Sequence, residues 1–307
     1  MLLFCKRFLI LLCFIAIHFK AYCLSDTTII KSHFVTLTKT PQFRTYDNLV
    51  QLEQTVNFIK SVFNQYADSV YIQEYIANGS RYKNVICSFG TAHSKRIIVG
   101  AHYDVCDEQQ GADDNASGVI GLLELARMLK GQKLNYRVDL VAYSLEEPPF
   151  FRTESMGSYI HAKSLFENKI DVYGMISLEM IGYFRDDKRS QNYPLGILSL
   201  FYGNKGNYIT LVKKIGAGKF VRKFCSKYKS AKTIRNKKFA APTFVPGIDF
   251  SDHLNYWSFG FSALMITDTS FYRNKNYHQE TDTMETIDFK RMAKVIDGVF
   301  ASLILIK

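Results

Sequence analysis

Two acidic pairs and two histidines carry the chemistry that can be read from this chain. His102-Tyr103-Asp104 follows the apolar run Ile97 to Ala101. Asp113-Asp114-Asn115 follows Gly111 and precedes an apolar stripe that begins near Gly118. Glu146-Glu147 closes a run from Val138 to Leu145, and Glu179 closes one from Gly174 to Leu178. Tyr277-His278 lies in the loop after the run Ser262 to Thr267. Each group therefore falls at the end of an expected strand or in the loop behind one. Crowding unpaired carboxylates is costly, and cations offset the repulsion. Imidazole and carboxylate without thiolate suit zinc in a catalytic rather than a structural site. The set exceeds the three donors that one catalytic zinc takes. Two ions about 3.5–4 Å apart, sharing a bridging carboxylate, would employ five.

The pair Glu146-Glu147 allows a division of labour. One carboxylate can bind metal while its neighbour takes a proton from the attacking water and returns it to the leaving amine. Asp104 lies two residues after His102, so on a strand both side chains point the same way. It can accept the other imidazole N–H and fix the ring's tautomer. Alone, each residue has an ordinary explanation: a strand-end acid is usually a cap or a surface charge, and a histidine is usually packed or solvated. Their joint occurrence at strand ends sets this chain apart.

The elements that must position these groups are legible from periodicity. Asp47 reads as an N-cap, followed by Leu49, Leu52, Val56, Ile59 and Phe63 at helical spacing. Strands are expected at Val70 to Ile76, Lys83 to Ser88 and Arg96 to Ala101, the last two paired as a hairpin about Gly90. A helix over Gly118 to Lys130 follows, then a strand to Leu145, a helix near Gly157 to Phe166 and a strand over Gly174 to Met180. Leu195 to Tyr202 reads as a strand and the basic stretch after it as mainly helical. A short helix over Asp252 to Trp257, a buried strand to Thr267 and a closing helix from Asp288 to Leu305 complete the pattern. Alternation of this kind predicts an α/β fold of three αβα layers on a mixed, mainly parallel sheet. Ligands in such sheets bind beyond the carboxyl ends of the strands.

Composition agrees with a globular chain: 307 residues, 47% hydrophobic and 22% charged. No linker, low-complexity run or repeat divides it, so residues 24–307 are expected to form a single catalytic domain. Residues 1–23 read as a signal peptide, with Lys6 and Arg7 before the apolar run Phe8 to Phe19 and small residues near Cys23. That run of about 12 residues falls short of the roughly 20 a spanning helix needs. The expectation is a secreted or periplasmic protein without stable membrane insertion, a retained anchor being the alternative. Beyond the leader remain Cys87, Cys106 and Cys225, which can form at most one disulfide and read as buried small hydrophobes. The net charge is +11, and no Asp or Glu occurs from Arg189 to Gly247. A solvated basic face is expected there. No nucleic-acid-binding motif accompanies it, so nucleic acid is not an expected partner.

The chain resembles the secreted co-catalytic zinc aminopeptidases, whose relatives include glutamate carboxypeptidases and glutaminyl cyclases. The passages Gly100-Ala101-His102-Tyr103-Asp104, Gly111 to Gly118, Glu146-Glu147-Pro148 and Tyr277-His278 with Asp282-Thr283 carry the resemblance. Ser177 to Tyr183 and Ser251-Asp252-His253 add to it. It implies that Asp114 bridges two zinc ions, that His102 and Glu179 complete one site, and that Glu147 and His278 complete the other. It further implies Glu146 as general base beside a metal-bridging hydroxide, Asp104 orienting His102, and Tyr277 lining the substrate pocket as a candidate oxyanion donor. Asp252 is a weaker pocket candidate, with helix capping its ordinary role. Position 179 is Glu where the best-known aminopeptidases have Asp, which changes the reach to the metal.

The implied activity is hydrolysis of N-terminal peptide bonds by a monomer acting on peptides with a free N-terminus. A single-zinc glutaminyl-peptide cyclotransferase, a non-catalytic binding domain and a carboxypeptidase are the competing readings. The context of Asp113-Asp114-Asn115 and the presence of Glu179 favour the aminopeptidase.

Overall fold

Eight strands form one sheet in the computed structural model, which describes residues 24–307. The expected signal peptide, residues 1–23, lies outside the described residues. The strands are β1 (Ser69–Ala77), β2 (Ser80–Phe89), β3 (Arg96–His102), β4 (Arg137–Tyr143), β5 (Val172–Glu179), β6 (Ile209–Lys214), β7 (Asn236–Ala241) and β8 (Ala263–Thr267). Their order across the sheet is β1-β2-β4-β3-β5-β8-β6-β7. The middle four, β4-β3-β5-β8, are mutually parallel. β2 and β6 flank them antiparallel.

Burial explains the middle of that order. Ile97, Ile98, Val99 and Ala101 of β3 are fully buried, although successive side chains face opposite sides of the sheet. A strand apolar on both faces is stable only with helices over both. The larger layer holds α1 (Thr27–Thr38), α2 (Leu49–Phe63), α3 (Gly118–Leu129), α6 (Gly218–Ala231) and α8 (Phe289–Leu305). The other face carries α4 (Gly157–Glu167) and α7 (His253–Ser258). A short α5 (Leu198–Tyr202) lies between β5 and β6. The expected three-layer α/β fold is the one observed. Among the described residues no helix is long and apolar enough to cross a membrane.

Several local expectations differ from the structure. The hairpin joins β1 to β2 through Asn78-Gly79, both with positive φ, and β2 pairs with β4 rather than β3. The turn at Gly90 instead sends the chain to the far side of β4. Leu195 to Tyr202 ends in the α5 helix, its Leu200 and Phe201 exposed, where a strand was expected. An apolar run without sheet partners cannot be a strand, and β5 is already paired on both sides. The basic segment is strand, helix and strand rather than mainly helix. The cap of α2 is Asn48, whose side chain accepts the N–H of Gln51, not Asp47. The helix α1 carries no apolar stripe strong enough to read in advance. It is held by burial of Ile30, Phe34 and Leu37.

Two buried histidines make the fold sensitive to acid. His161 Nδ1 lies 2.6 Å from the Tyr256 hydroxyl, which is 2.7 Å from that of Tyr143. His253 Nε2 donates to the Ile248 carbonyl at 2.9 Å. Burial pushes both pKa values down from 6.5 to about 4. Between those values the unfolded chain binds more protons, so stability is fully present above pH 6.5 and is lost as pH falls towards 4. A shift of this size is worth at most about 3 kcal/mol per histidine. We expect the urea midpoint to fall between pH 7 and pH 4.5, and to fall less in a His161→Gln/His253→Gln variant. Equal falls in both proteins would show that these side chains do not carry the effect.

Candidate metal centre

The carboxyl ends of the four parallel strands meet at one place. His102 ends β3 and Glu179 ends β5. Glu146 and Glu147 follow β4 after Leu145, a buried residue held at φ 61°. His278 lies in the loop after β8 and itself adopts φ 55°. Left-handed backbone at bulky residues is strained, and such strain clusters at functional sites.

Asp114 stands between two donor groups. Its Oδ1 is 3.4 Å from His102 Nε2, which is 3.5 Å from Glu179 Oε2. Its Oδ2 is 3.2 Å from His278 Nε2, which is 3.2 Å from Glu147 Oε2. All five candidate ligands are thus brought together, arranged about the two oxygens of one carboxylate. Glu146 adjoins them, with Oε2 3.9 Å from His102 Nε2. The ring of Tyr277 stacks on His278 with centroids 3.8 Å apart, and Tyr277 lines the adjoining cavity.

The supporting shell explains why this chain folds so. Gly111, at φ 55°, starts an irregular helical turn over Ala112–Ser117, and a Cβ there would collide with Val105 and the Asp114 carbonyl. The Asp282 carboxylate accepts the N–H groups of both Asp113 and Asp114 at 3.0 Å. Asn115 ties that turn to β5: its Nδ2 donates to the Leu178 carbonyl, and its Oδ1 accepts from Gly118 and Met180. The buried Arg44 donates to the carbonyls of Leu37, Tyr103 and Gly111, joining the end of α1 to both loops. Ser251 Oγ donates to Glu179 Oε2 at 2.8 Å. The longer side chain at position 179 is therefore clamped rather than free to roam.

Asp104 does more than the sequence suggested. His102 Nδ1 is 3.2 Å from the Asp104 main-chain carbonyl and 3.6 Å from its carboxylate. The carboxylate itself accepts the N–H groups of Glu146 at 3.2 Å and Glu147 at 3.0 Å. One residue thus fixes the imidazole and aims the glutamate pair.

Three further residues carry more than the sequence indicated. Asp252 precedes α7, but its side chain makes no capping hydrogen bond. It is fully buried and neither carboxylate oxygen has a partner among the described residues. Burial pushes its pKa up to about 7, against the attraction of His102. Asp282 stands out in the sequence only as part of a motif. Cys106 read as a small core residue, yet lies against Glu147 and His278. A buried acid in a Ser-Asp-His run was the one available signal for Asp252. Nothing in the spacing marked the other two.

Electrostatics set the requirement for cations. Burial drives Glu147 up to about 8, helped by the charge of Asp114 and opposed by His278. Burial also lifts Glu146 well above the carboxylate range, with Glu147 and Glu179 adding to it against His102. Glu179 rises for the same first reason. Burial works against charge on the imidazoles. Even so Glu179 and Glu146 hold His102 well above its ordinary value, and Asp114 and Glu147 bring His278 to about 10. Burial opposes ionisation of Asp114 too, but the adjacent His102 and His278 rings hold it below the usual range. Burial raises Glu146, Glu147 and Glu179 together, and a bound dication would offset the charge these carboxylates carry. His102 Nε2, Asp114 Oδ2, Glu147 Oε1 and His278 Nε2 are buried without a hydrogen-bond partner among the described residues. Orphaned donor atoms on four converging side chains fit a metal centre.

A cavity of about 250 Å³ opens beside the centre. Glu146 and Glu179 reach its head, and Phe151, Tyr208, Phe239, Phe250 and Tyr272 wall it. Val212 and Met265, from β6 and β8, help to form its floor.

Comparison with known proteins agrees with this architecture. Residues 84–303 match the model of Peptidase family M28. The Escherichia coli K12 protein YfbL, described as uncharacterized, is 44% identical over 275 residues, 87% of this chain and 84% of that protein. Leucine aminopeptidase 1 of Paracoccidioides brasiliensis is 25% identical over 79% of this chain, which spans 58% of that protein. Among solved structures, LapB of Legionella pneumophila superposes with a TM-score of 0.73 at 22% identity, covering 91% of this chain and 71% of that one. A Bacteroides thetaiotaomicron glutaminyl cyclase does so at 0.69 and 18%, covering 93% of this chain and 100% of that one. At these identities the two structures speak for the fold alone. With the family match over most of the chain, an α/β sheet of this order and acids and imidazoles gathered at its carboxyl edge, this enzyme belongs to peptidase family M28, the zinc-dependent hydrolases.

Proposed function

We propose that the chain is a two-zinc aminopeptidase that removes apolar residues from the N-termini of peptides. The observation that carries this reading is the placement of the two Asp114 oxygens, one toward His102 and Glu179, the other toward His278 and Glu147. A single-zinc cyclotransferase needs only one of those sets. His102 and Glu179 would hold one ion, Glu147 and His278 the other, and Asp114 both. When bound, zinc supplies Lewis-acid polarisation of the scissile carbonyl and a more acidic attacking water.

The chain's own residues do the rest. Glu146 lines the cavity and makes no direct hydrogen bond through its carboxylate among the described residues. It takes the proton of the attacking water and delivers it to the leaving amine. Asp104 holds that glutamate's backbone and the His102 ring together. Tyr277 faces the cavity beside His278 and would donate to the developing oxyanion. The surrounding carboxylates would attract the substrate's free ammonium group. The leader of residues 1–23 would export the enzyme, placing its substrates outside the cytoplasm.

The cavity sets the substrate class. Its volume lies below the roughly 300–1,000 Å³ of drug-sized sites, which suits a single residue. Its walls are aromatic and offer no cation or anion remote from the metal end. Burying a large apolar side chain is worth about 1.5–3 kcal/mol, or roughly 10- to 100-fold in kcat/KM. We expect leucyl, methionyl and phenylalanyl arylamides to be cut faster than alanyl, lysyl and glutamyl ones by about that factor, with activity abolished by chelator and restored by zinc. Cyclisation of N-terminal glutamine by a one-zinc protein that leaves every arylamide intact would overturn the reading in favour of the cyclotransferase.

A further inference from the structure

Cys106 lies two residues beyond Asp104 in the loop that leaves β3, and it is buried. Its Sγ, a carboxylate oxygen of Glu147 and a ring nitrogen of His278 all lie within 4.8 Å of one another. The thiol has only a long contact of 3.6 Å to Asp107 Oδ2. A cysteine near a polar cluster means little by itself. Here a second observation points to a shared ligand: Glu147 is 96% buried, being 4% exposed, and its Oε1 has no hydrogen-bond partner among the described residues. Unsatisfied buried carboxylate oxygens require an explanation, and a cation shared by this carboxylate, the imidazole and the sulfur supplies one.

Resting on the metal-centre reading above, we propose that Cys106 is an additional ligand of the ion held by Glu147 and His278. The set Cys106, Glu147 and His278 adds a sulfur to an imidazole and a carboxylate, whereas the group about His102 offers only nitrogen and oxygen. The two ions would therefore be unequal, the sulfur-ligated one being the softer site. On binding, the Cys106 S–H bond breaks, its proton passes to solvent and the sulfur lone pair bonds the cation, with no change of oxidation state. Soft thiolate favours zinc, cobalt and cadmium over manganese and magnesium, so this chain should select thiophilic ions at that site.

Cobalt tests this directly. The full chain, stripped with chelator and reloaded with Co(II), should show a near-ultraviolet sulfur-to-cobalt charge-transfer band as well as the visible d–d bands. Elemental analysis gives the cobalt bound per chain in the same samples. Cys106→Ser should lose the charge-transfer band. Its affinity for the tighter zinc should fall by at least the about 10- to 100-fold typical of losing an outer-shell partner, with manganese affinity within about threefold of wild type. Cys106→Asp, an oxygen donor of similar reach, should recover cobalt binding without the band and covers the case of a poorly folded serine variant. Cobalt uptake by wild type without the band, or a band that persists in Cys106→Ser, overturns the proposal and leaves the metal centre standing. No cobalt uptake by wild type overturns both.

Discussion

Glu146→Gln is expected to lower kcat on a leucyl arylamide by about 10²–10⁴-fold while metal content stays at the wild-type level. That loss corresponds to about 3–5 kcal/mol of transition-state stabilisation. The substitution keeps the size and shape of the side chain and removes only its ability to accept a proton. Glu146 is buried at the head of the cavity, with its Oε2 3.9 Å from His102 Nε2. It is thus adjacent to the candidate ligands without the short approach that Glu147 makes to His278 at 3.2 Å. Glu147 and Glu179 both disfavour its charge, so taking one carboxylate away relieves repulsion. The melting temperature of the variant should therefore equal or exceed that of wild type. Activity within about tenfold of wild type, with zinc retained, would move the base elsewhere. The buried, unpartnered Asp252 would then be the next candidate.

Asp114→Ala should remove both ions and all measurable hydrolysis. Each of its oxygens is directed at a different donor group, 3.4 Å from His102 and 3.2 Å from His278. Zinc measured on the purified, dialysed variant should fall from two per chain to fewer than one. Retention of one tight zinc would show that Asp114 does not bridge. Stability gives an independent reading. A ligand held at 100 times its Kd stabilises by about 2.7 kcal/mol, so chelator should lower the melting temperature of wild type but barely move that of the variant. The same comparison separates the aminopeptidase from the cyclotransferase, because a one-zinc enzyme would start from one ion per chain.

The sequence by itself determined the fold class and the chemistry. Continuous apolar runs such as Ile97 to Ala101 can be stable only in the middle of a sheet covered on both faces, and the polar residue that ends each run then has to emerge at the same edge. His102, Glu146-Glu147 and Glu179 were legible for that reason. Asp114 and His278 sit in loops: their residue types were legible, but their assignment to particular metal sites came only from the resemblance, because no periodicity locates a loop in space. What only the tertiary structure decided is how these groups pair. Spacing along the chain could not show that the Asp104 carboxylate reaches across to the Glu146 and Glu147 amides, or that Asp282 holds the Asp113-Asp114 amides from 168 residues away. Nor could it place the Cys106 sulfur beside Glu147 and His278. The hairpin at Gly90 failed on the same ground. Pairing between strands is a long-range choice, made here when β4 inserted between β2 and β3. Local sequence specifies which residues will be buried and which strand end each will occupy. Which of them touch depends on strand order and on loops whose course is set by contacts from about forty to nearly 170 residues apart.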